Sequence, residues 1–494
     1  MTSTSDHALS MRIAFAAIVV AMLPAVLDQT ILSTALPTIA SDLGRLADVS
    51  WVTSAYVVAA AASTPLWGKL GDRHGRKRLL EISLILFLAS SAVCGVAQSI
   101  TWLIVSRTAQ GIAAGGLMTL AMAAVGDLVS PRERGRYQGY IAATFAVATV
   151  VGPLLGGLLV QHASWRWVFY VNLPLGVVAL AGLRTALPTP EVERGNKRLD
   201  VSGALLLAGA TAALMLTCIW GGDRYAWSSA TILSLIAGTV LLGGGLVVRE
   251  RSAADPIVPL DLMRTRPVVV SSAALFLTTA ALFSITVFVP LYLQTTTGAT
   301  PTEAGLLLVP MMLGITLSTN LAGREISRTG RYKRYPIIGL GLMTIALALM
   351  AAVVRHPSQA VTGVVLAVFG FGFGMVGQVL IVAVQNSVDR RRLGIAMATT
   401  SFFRGLGGAV GAAVLGAVFA ARVGTTAGGL TTLGAAGRSD IIDGAQAVFL
   451  VAAPVAAIAL LITLLLREVP LQGASANAPP GEAPAEAQNG PSRA

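Results

Sequence analysis

Apolar blocks of about twenty residues follow one another almost without pause from residue 13 to residue 466, and the charges, glycines and prolines collect in the short segments between them. Twenty residues at about 1.5 Å each cross a hydrocarbon core of about 30 Å, so each block predicts a membrane-crossing helix. The blocks fall at 13–36, 51–69, 79–98, 101–125, 137–160, 167–187, 200–220, 230–248, 268–290, 303–322, 336–354, 359–384, 394–420 and 445–466. The pattern thus predicts an all-α polytopic membrane protein with 14 transmembrane helices. The alternating segments of about ten residues that build membrane barrels are missing. The first block exceeds the apolar core of a signal peptide and is followed by no small-residue cleavage site, so it is expected to stay as the first crossing.

Composition agrees: 55% of the 494 residues are apolar and 12% are charged, about half the charged share of a soluble protein. The net charge of +12 would raise nucleic-acid binding in a soluble domain. Its placement gives a better account. The segments 1–12, 68–80, 126–138, 184–200, 249–267, 323–336, 385–393 and 467–494 hold 27 of the 35 Lys and Arg, while the alternate segments hold six: Arg45, Arg166, Arg224, Arg355, Arg422 and Arg438. Basic loops stay in the cytoplasm, which puts both termini there and leaves no call for nucleic acid. Only Lys69, Lys77, Lys197 and Lys333 are lysines, the bias of a GC-rich bacterial genome, so a bacterial cytoplasmic (inner) membrane is expected. Cys94 and Cys218 both lie in apolar blocks, where they act as small hydrophobes rather than as a disulfide framework or a metal site.

One short loop recurs. Gly68-x-x-x-Asp72-Arg73-x-Gly75-Arg76 returns 255 residues later as Gly323-x-x-x-Ser327-Arg328-x-Gly330-Arg331, and the same offset carries Gly152 onto Gly407 and Gly156 onto Gly411. Eight helices separate the copies, which gives a cytoplasmic tail (1–12), a six-helix bundle (13–187), a linker with two inserted helices (188–266), a second six-helix bundle (267–466) and a disordered cytoplasmic tail (467–494). Repeated halves of this kind hold a substrate path between them. Basic residues alone would satisfy an inner loop. The glycines, the Asp and the second copy point to a gate in which Asp72 meets a helix N-terminus or a basic residue.

Among the acidic residues only Asp28 lies well inside a block, about 22 Å above the inner end of its helix. Arg107 lies about 8 Å below the outer end of the fourth helix, at nearly the same depth. An intramembrane carboxylate is kept when it pairs with a cation, faces water or is protonated during a cycle. An ion pair that breaks on protonation or substrate binding is therefore expected, with a static structural pair as the alternative and Gln110 as a further polar contact. In the fifth helix, Gly152-Pro153-x-x-Gly156 joins a missing backbone donor to a close-packing face. Ordinary helix packing would explain it equally well.

These residues together resemble the fourteen-helix drug:proton antiporter family of the major facilitator superfamily, over residues 12–466. LDQTILSTALPTI (27–39) is similar to the family's first-helix signature, GKLGDRHGRK (68–77) to the superfamily loop motif and SRTAQGIAAGG (106–116) to its helix-4 arginine motif. Gly139, Gly152, Pro153 and Gly156 match the antiporter motif, and WRWVFYVNLPLG (165–176) is also family-like. The resemblance implies a 6 + 2 + 6 plan and export driven by inward proton flow, with Asp28 and Arg107 in the coupling site and Asp72 in the gate. Two positions depart from it. Ala148 replaces the first Gly of the core antiporter motif, and Ser327 replaces the acid of the second loop, where Glu325 is the nearest substitute.

The expected function is proton-coupled efflux (antiport) of amphipathic organic compounds, drugs or antibiotics among them, by alternating access. The alternative is a dedicated exporter of one endogenous metabolite or lipid. Polar and aromatic residues on central helices supply a candidate cavity lining: Gln29, Tyr56, Phe145, Phe283, Tyr292, Gln294, Asn320, Phe371, Gln378, Phe403 and Arg404. An enzyme is not expected, because His7, His74, His162 and His356 are scattered over tail and loops and form no catalytic set. There is no GxxxxGK[ST] phosphate loop, so the energy source is the proton gradient and no cofactor or metal is called for. The expected partners are a small-molecule substrate, protons and the lipid bilayer, around a monomer.

Overall fold

The computed structural model describes residues 2–43, 46–131, 133–187, 200–222, 224–253, 262–297, 306–355, 358–389, 392–423 and 435–468. It is helical throughout. In chain order the helices are α1 (Thr2–Leu43), α2 (Leu46–His74), α3 (Arg76–Gly95), α4 (Ile100–Leu128), α5 (Arg134–His162), α6 (Trp167–Tyr170), α7 (Asn172–Ala186), α8 (Val201–Trp220), α9 (Ala230–Ser252), α10 (Arg266–Thr297), α11 (Val309–Thr329), α12 (Arg334–Val353), α13 (Gln359–Ser387), α14 (Leu393–Val423) and α15 (Ala435–Leu464).

Among the described residues, twelve helices are long and apolar enough to cross a membrane. The long helices α2 and α11 are outside that group, and each carries hydroxyls inside the fold. Ser63 on α2 donates to the Ile112 carbonyl of α4 at 3.1 Å, and Thr319 on α11 donates to the Gly374 carbonyl of α13 at 2.9 Å. Such residues lower the hydropathy of a helix without exposing a polar group to lipid.

Helices α1–α7 pack as one bundle and α10–α15 as another. Between them in sequence, α8 and α9 pack against each other, and α8 also lies against α2 of the first bundle and α14 of the second. Trp51 and Trp220 meet edge to face at 4.6 Å where α8 joins α2.

Both ends of the chain carry more structure than the hydropathy pattern showed. Residues 2–12 were expected as a tail, yet they begin α1, since no Gly or Pro interrupts the chain between Thr2 and the first apolar block and an existing helix extends at little cost. The expected disordered tail from residue 467 is anchored at its start, where Glu468 Oε1 accepts the backbone N–H groups of Tyr332 and Lys333 at 2.6 and 3.1 Å. Residues 469–494, 188–199 and 254–261 lie outside the described residues.

Candidate functional site

Asp28 and Arg107 meet. Arg107 Nη1 donates to Asp28 Oδ2, and both side chains are wholly buried. The remaining carboxylate oxygen accepts Gln110 Nε2 at 3.0 Å and Asn172 Nδ2 at 3.2 Å. Ser91 Oγ stands behind both amides, accepting Gln110 at 3.2 Å and Asn172 at 3.0 Å while donating to the Phe169 carbonyl at 2.9 Å. Arg107 Nε donates to the Val52 carbonyl at 3.2 Å, and its guanidinium lies 4.2 Å from the centre of the Tyr56 ring. A charge on α1 is therefore enclosed by polar groups from α2, α3, α4 and α7. Desolvating both ions is tolerable because the carboxylate is fully engaged and Arg107 Nη1 and Nε find acceptors, Arg107 Nη2 alone of the pair's groups being left without one.

The chain breaks helix locally to make this possible. Pro174 has no N–H for the Tyr170 carbonyl, so the ladder is interrupted between α6 and α7. Asn172 opens α7 with its side chain on Asp28. The antiporter-like glycines act from the other side. A Cβ at Gly152 or Gly156 would strike Thr30 or Thr34, so α5 is pressed directly onto α1 two to six residues beyond Asp28. Pro153 lies within an uninterrupted α5.

The repeated loop is mostly helix. Gly68, Asp72 and Arg73 occupy the last turns of α2, and Gly75 makes the corner to Arg76 at φ 90, a conformation that favours glycine. In the second copy α11 carries Gly323 and Arg328, with Gly330 as its left-handed cap at φ 70 before Arg331. Each copy crosses from one bundle to the other. Gly68 lies against Gly394 and Ala398 of α14, and Gly323 lies backbone to backbone on Gly135 of α5. Asp72 accepts the N–H groups of Gly394 and Ile395, the first turn of α14, at 2.8 and 2.9 Å. Arg76 bridges Asp72 at 2.8 Å and Asp127 on α4. Burial holds the Asp72 carboxyl above its ordinary value, against the opposing pull of Arg76 and the two N–H groups. Arg134 and Gln385 add a second clasp: Arg134 Nη1 donates to the Gln385 carbonyl at 2.9 Å, and Gln385 Nε2 to the Met122 carbonyl at 3.2 Å.

Two seven-to-six-helix bundles closed at one end by a repeated loop, with one charge pair buried in the first, form the geometry of a known transporter architecture, and the Major Facilitator Superfamily profile matches residues 18–412. The chain belongs to the major facilitator superfamily. It is 37% identical over 482 residues to an uncharacterised MFS-type transporter of Mycobacterium tuberculosis, covering 93% of this chain and 70% of that protein. It is 34% identical to the multidrug transporter protein MdtP of Bacillus subtilis, over 82% of this chain and 75% of that protein. A human organic anion transporter has a TM-score of 0.66 over 92% of this chain and 99% of its own, at 19% identity, a likeness of fold alone. This major facilitator protein is accordingly a multi-pass membrane transporter of small molecules and not an enzyme.

The other candidate residues of the transporter do not form one lining. Tyr56 is spent beneath Arg107. Asn320 belongs to the closed seam, backed onto Gly139 of α5, which is thereby separated from Gly152 and Gly156. Phe403 meets Phe402 edge to face at 5.4 Å beside the apolar contact of α8. Tyr292 is fully buried, whereas Phe145, Phe283, Phe371 and Gln378 are half-buried and Gln29 is exposed. Gln294 falls outside the described side chains. In the second loop Glu325 pairs with Arg334 of its own bundle at 3.7 Å and makes no seam contact in its described interactions. Ser91, Asn172, Arg134 and Gln385 were not singled out from sequence. Asn172 alone had a signal, its place in WRWVFYVNLPLG.

Proposed function

We propose that the protein is a proton-coupled exporter of amphipathic organic compounds in a bacterial cytoplasmic membrane, crossing it fourteen times with both termini inside and working by alternating access. The enclosed Asp28–Arg107 pair carries this reading. In the conformation described, Asp28 touches no solvent, so it can gain or lose a proton only when the helices around it rearrange, which is the condition for coupling proton flow to a conformational cycle. Protonation removes the attraction that holds Arg107. Since α5 packs on α1 beside Asp28 and on α11 at the seam, a shift of α1 is passed by one rigid helix to the contact between bundles. The Asp72 and Arg134 clasps close the end assigned to the cytoplasm, so alternating access requires them to part.

Efflux from proteoliposomes under an imposed pH step, with a panel of amphipaths and with or without a protonophore, tests the proposal. Gradient-dependent export of several compounds, lost in Asp28→Asn and partly kept in Asp28→Glu, is expected. Protonophore-insensitive export by the wild type overturns the coupling, and export of a single compound selects the dedicated-exporter reading. With one buried carboxylate already paired, neutral, zwitterionic, monovalent or anionic amphipaths should be preferred over dications.

A further inference from the structure

Arg404 is the remaining charge in the middle of the membrane region. It is the twelfth residue of α14, about 17 Å from the start of that helix and farther from its end, too deep to reach either interface as basic residues near helix ends do. It is half-buried, and among the described residues it has no hydrogen-bond, ion-pair or ring partner. Asp28 cannot serve it, being buried and fully engaged by Arg107, Gln110 and Asn172. In the second bundle Glu325 and Asp443 are bound to Arg334 and Arg355 near helix ends.

The surroundings of Arg404 are arranged to admit something. Ser401 and Gly408 share its helix face. Gly405 beside it is exposed, with no atom within 4 Å of a would-be Cβ, and it faces away from lipid-side Val414, which stands about two and a half turns further on. Gly407 and Gly411 bring α10 into backbone contact at Phe276 and Ala280. One turn below Phe276, Ser272 is buried with a hydroxyl that has no partner. The half-buried guanidinium of Arg404 stands beside the open space at Gly405 without an acceptor. A guanidinium fork suits a planar carboxylate or a tetrahedral oxyanion.

We propose that Arg404 is the anion-recognising residue of the substrate path, and that the compounds the transporter selects carry one acidic group (carboxylate, sulfonate or phosphate) on an apolar body. The inference rests on the export reading above for its physiological sense, but the binding it claims does not depend on proton coupling. Charge balance supports it: Asp28 and Arg107 cancel, Arg404 leaves one positive charge, and a substrate anion neutralises it while bound.

The test is equilibrium binding to the purified full-length protein in detergent, without a gradient. The probes are aryl-alkyl carboxylates, sulfonates and phosphates, each paired with its uncharged amide or ester of similar size. At least one acid should bind about tenfold or more tightly than its neutral partner, as a charge-assisted bidentate contact gives. Arg404→Gln should abolish that preference while binding the neutral partner as the wild type does, and Arg404→Lys should keep part of it. Thermal unfolding without ligand supplies a second arm: Arg404→Gln should be at least as stable as the wild type, because a half-buried cation without a protein partner is removed. Absence of any preference for acids, a preference that survives Arg404→Gln, or a less stable unliganded Arg404→Gln protein each overturns the assignment. Acid binding with no proton-driven export would leave it standing and refute the coupling instead.

Discussion

The two bundles repeat each other's glycines but not each other's charges. Gly152 and Gly156 press α5 onto α1, and 255 residues later Gly407 and Gly411 press α14 onto α10; Gly68 and Gly323 each cross the seam. The first bundle, however, buries an ion pair and supplies the acid of the seam, whereas the second holds an unpaired arginine and Ser327 in place of that acid. Helix boundaries explain the seam. Asp72 finds donors because Gly394 and Ile395 lie in the first turn of α14, where N–H groups have no intrahelical partner. The position equivalent to Gly394 in the first bundle is Gly139, but α5 already starts at Arg134, so its N–H is taken by the helix. A carboxylate at 327 would find no free helix-start N–H to accept from; Ser327 instead donates to the Gly323 carbonyl of its own helix at 2.9 Å. Close packing can be duplicated along with a helix bundle, but a charge is kept only where partners exist.

The strongest way to break the comparison is to unbalance the buried pair. Asp28→Asn or Arg107→Ala should abolish export and also cost about 3–5 kcal/mol, since the surviving charge is left desolvated. The double variant Asp28→Asn with Arg107→Gln should recover most of the thermal stability in detergent but none of the transport. Recovery of both would reduce the pair to a structural one.

Next come the repeated glycines. Gly152→Ala and Gly407→Ala should each cost about 1–3 kcal/mol through overpacking. Only Gly152→Ala should also lower the proton-driven rate per folded molecule, because it displaces the helix that carries Asp28. Equal losses of rate would mean that the first bundle has no special share in coupling.

At the seam, Asp72→Ala should weaken closure by about 2 kcal/mol by stripping the first turn of α14 of its acceptor. Cysteine labelling at the cytoplasmic end, faster in the variant, reads it out. Adding Ser327→Asp should restore nothing. Burial at the seam raises the Asp72 carboxyl against the pull of Arg76 and the two N–H groups, so the buried form binds its proton more tightly than an exposed one. Closure is therefore helped as pH falls, and it weakens as pH rises through the window from the free value of about 3.9 up to the docked one. Asp72→Ala should flatten that dependence.

The outer ends should differ least. Asp42 meets Trp165 and Arg166 in the first bundle, and Asp443 meets Arg355 in the second. Both pairs are exposed, so Asp42→Asn or Asp443→Asn should cost no more than about 1 kcal/mol after solvent screening. The Trp165 N–H, with Arg166, holds Asp42 below its ordinary value despite slight burial. Its contribution is complete above the ordinary carboxylate value and is lost only as pH falls through the depressed one, so melting curves between pH 5 and 8 should not register it.

Helices, repeat, buried carboxylate and gate acid were all legible in the sequence, because hydrophobic period, glycine spacing and the rarity of charge in apolar blocks are one-dimensional signals. Depth was legible too, and it brought Asp28 and Arg107 to one level. Facing was not. Tyr56 looked like a cavity residue yet underlies Arg107, and Asn320 looked central yet belongs to the seam, since polar side chains on a buried helix are oriented by neighbours that the sequence does not name. Asn172 needed the break before Pro174 to turn inward, and Ser91 needed Asn172. The helical residues 2–12 escaped notice because a hydropathy pattern sees membrane, not helix.

The contact of α8 bears on how the bundles can move. It leans on α2 and α14 through Val57, Val58, Met215, Leu216, Phe402 and Leu406, and among the described residues no hydrogen bond or ion pair ties it to either helix. Apolar contact has no preferred direction, so one surface can glide over the other without a bond having to break. In a cycle of alternating access the inserted pair would work in the manner of a greased bearing, covering the flank between α2 and α14 while the bundles tilt. A hydrophobic molecule dissolved in the bilayer would then reach the interior by the opposite flank, where α5 meets α11, and a polar cross-link from α8 to either neighbour would act as a brake.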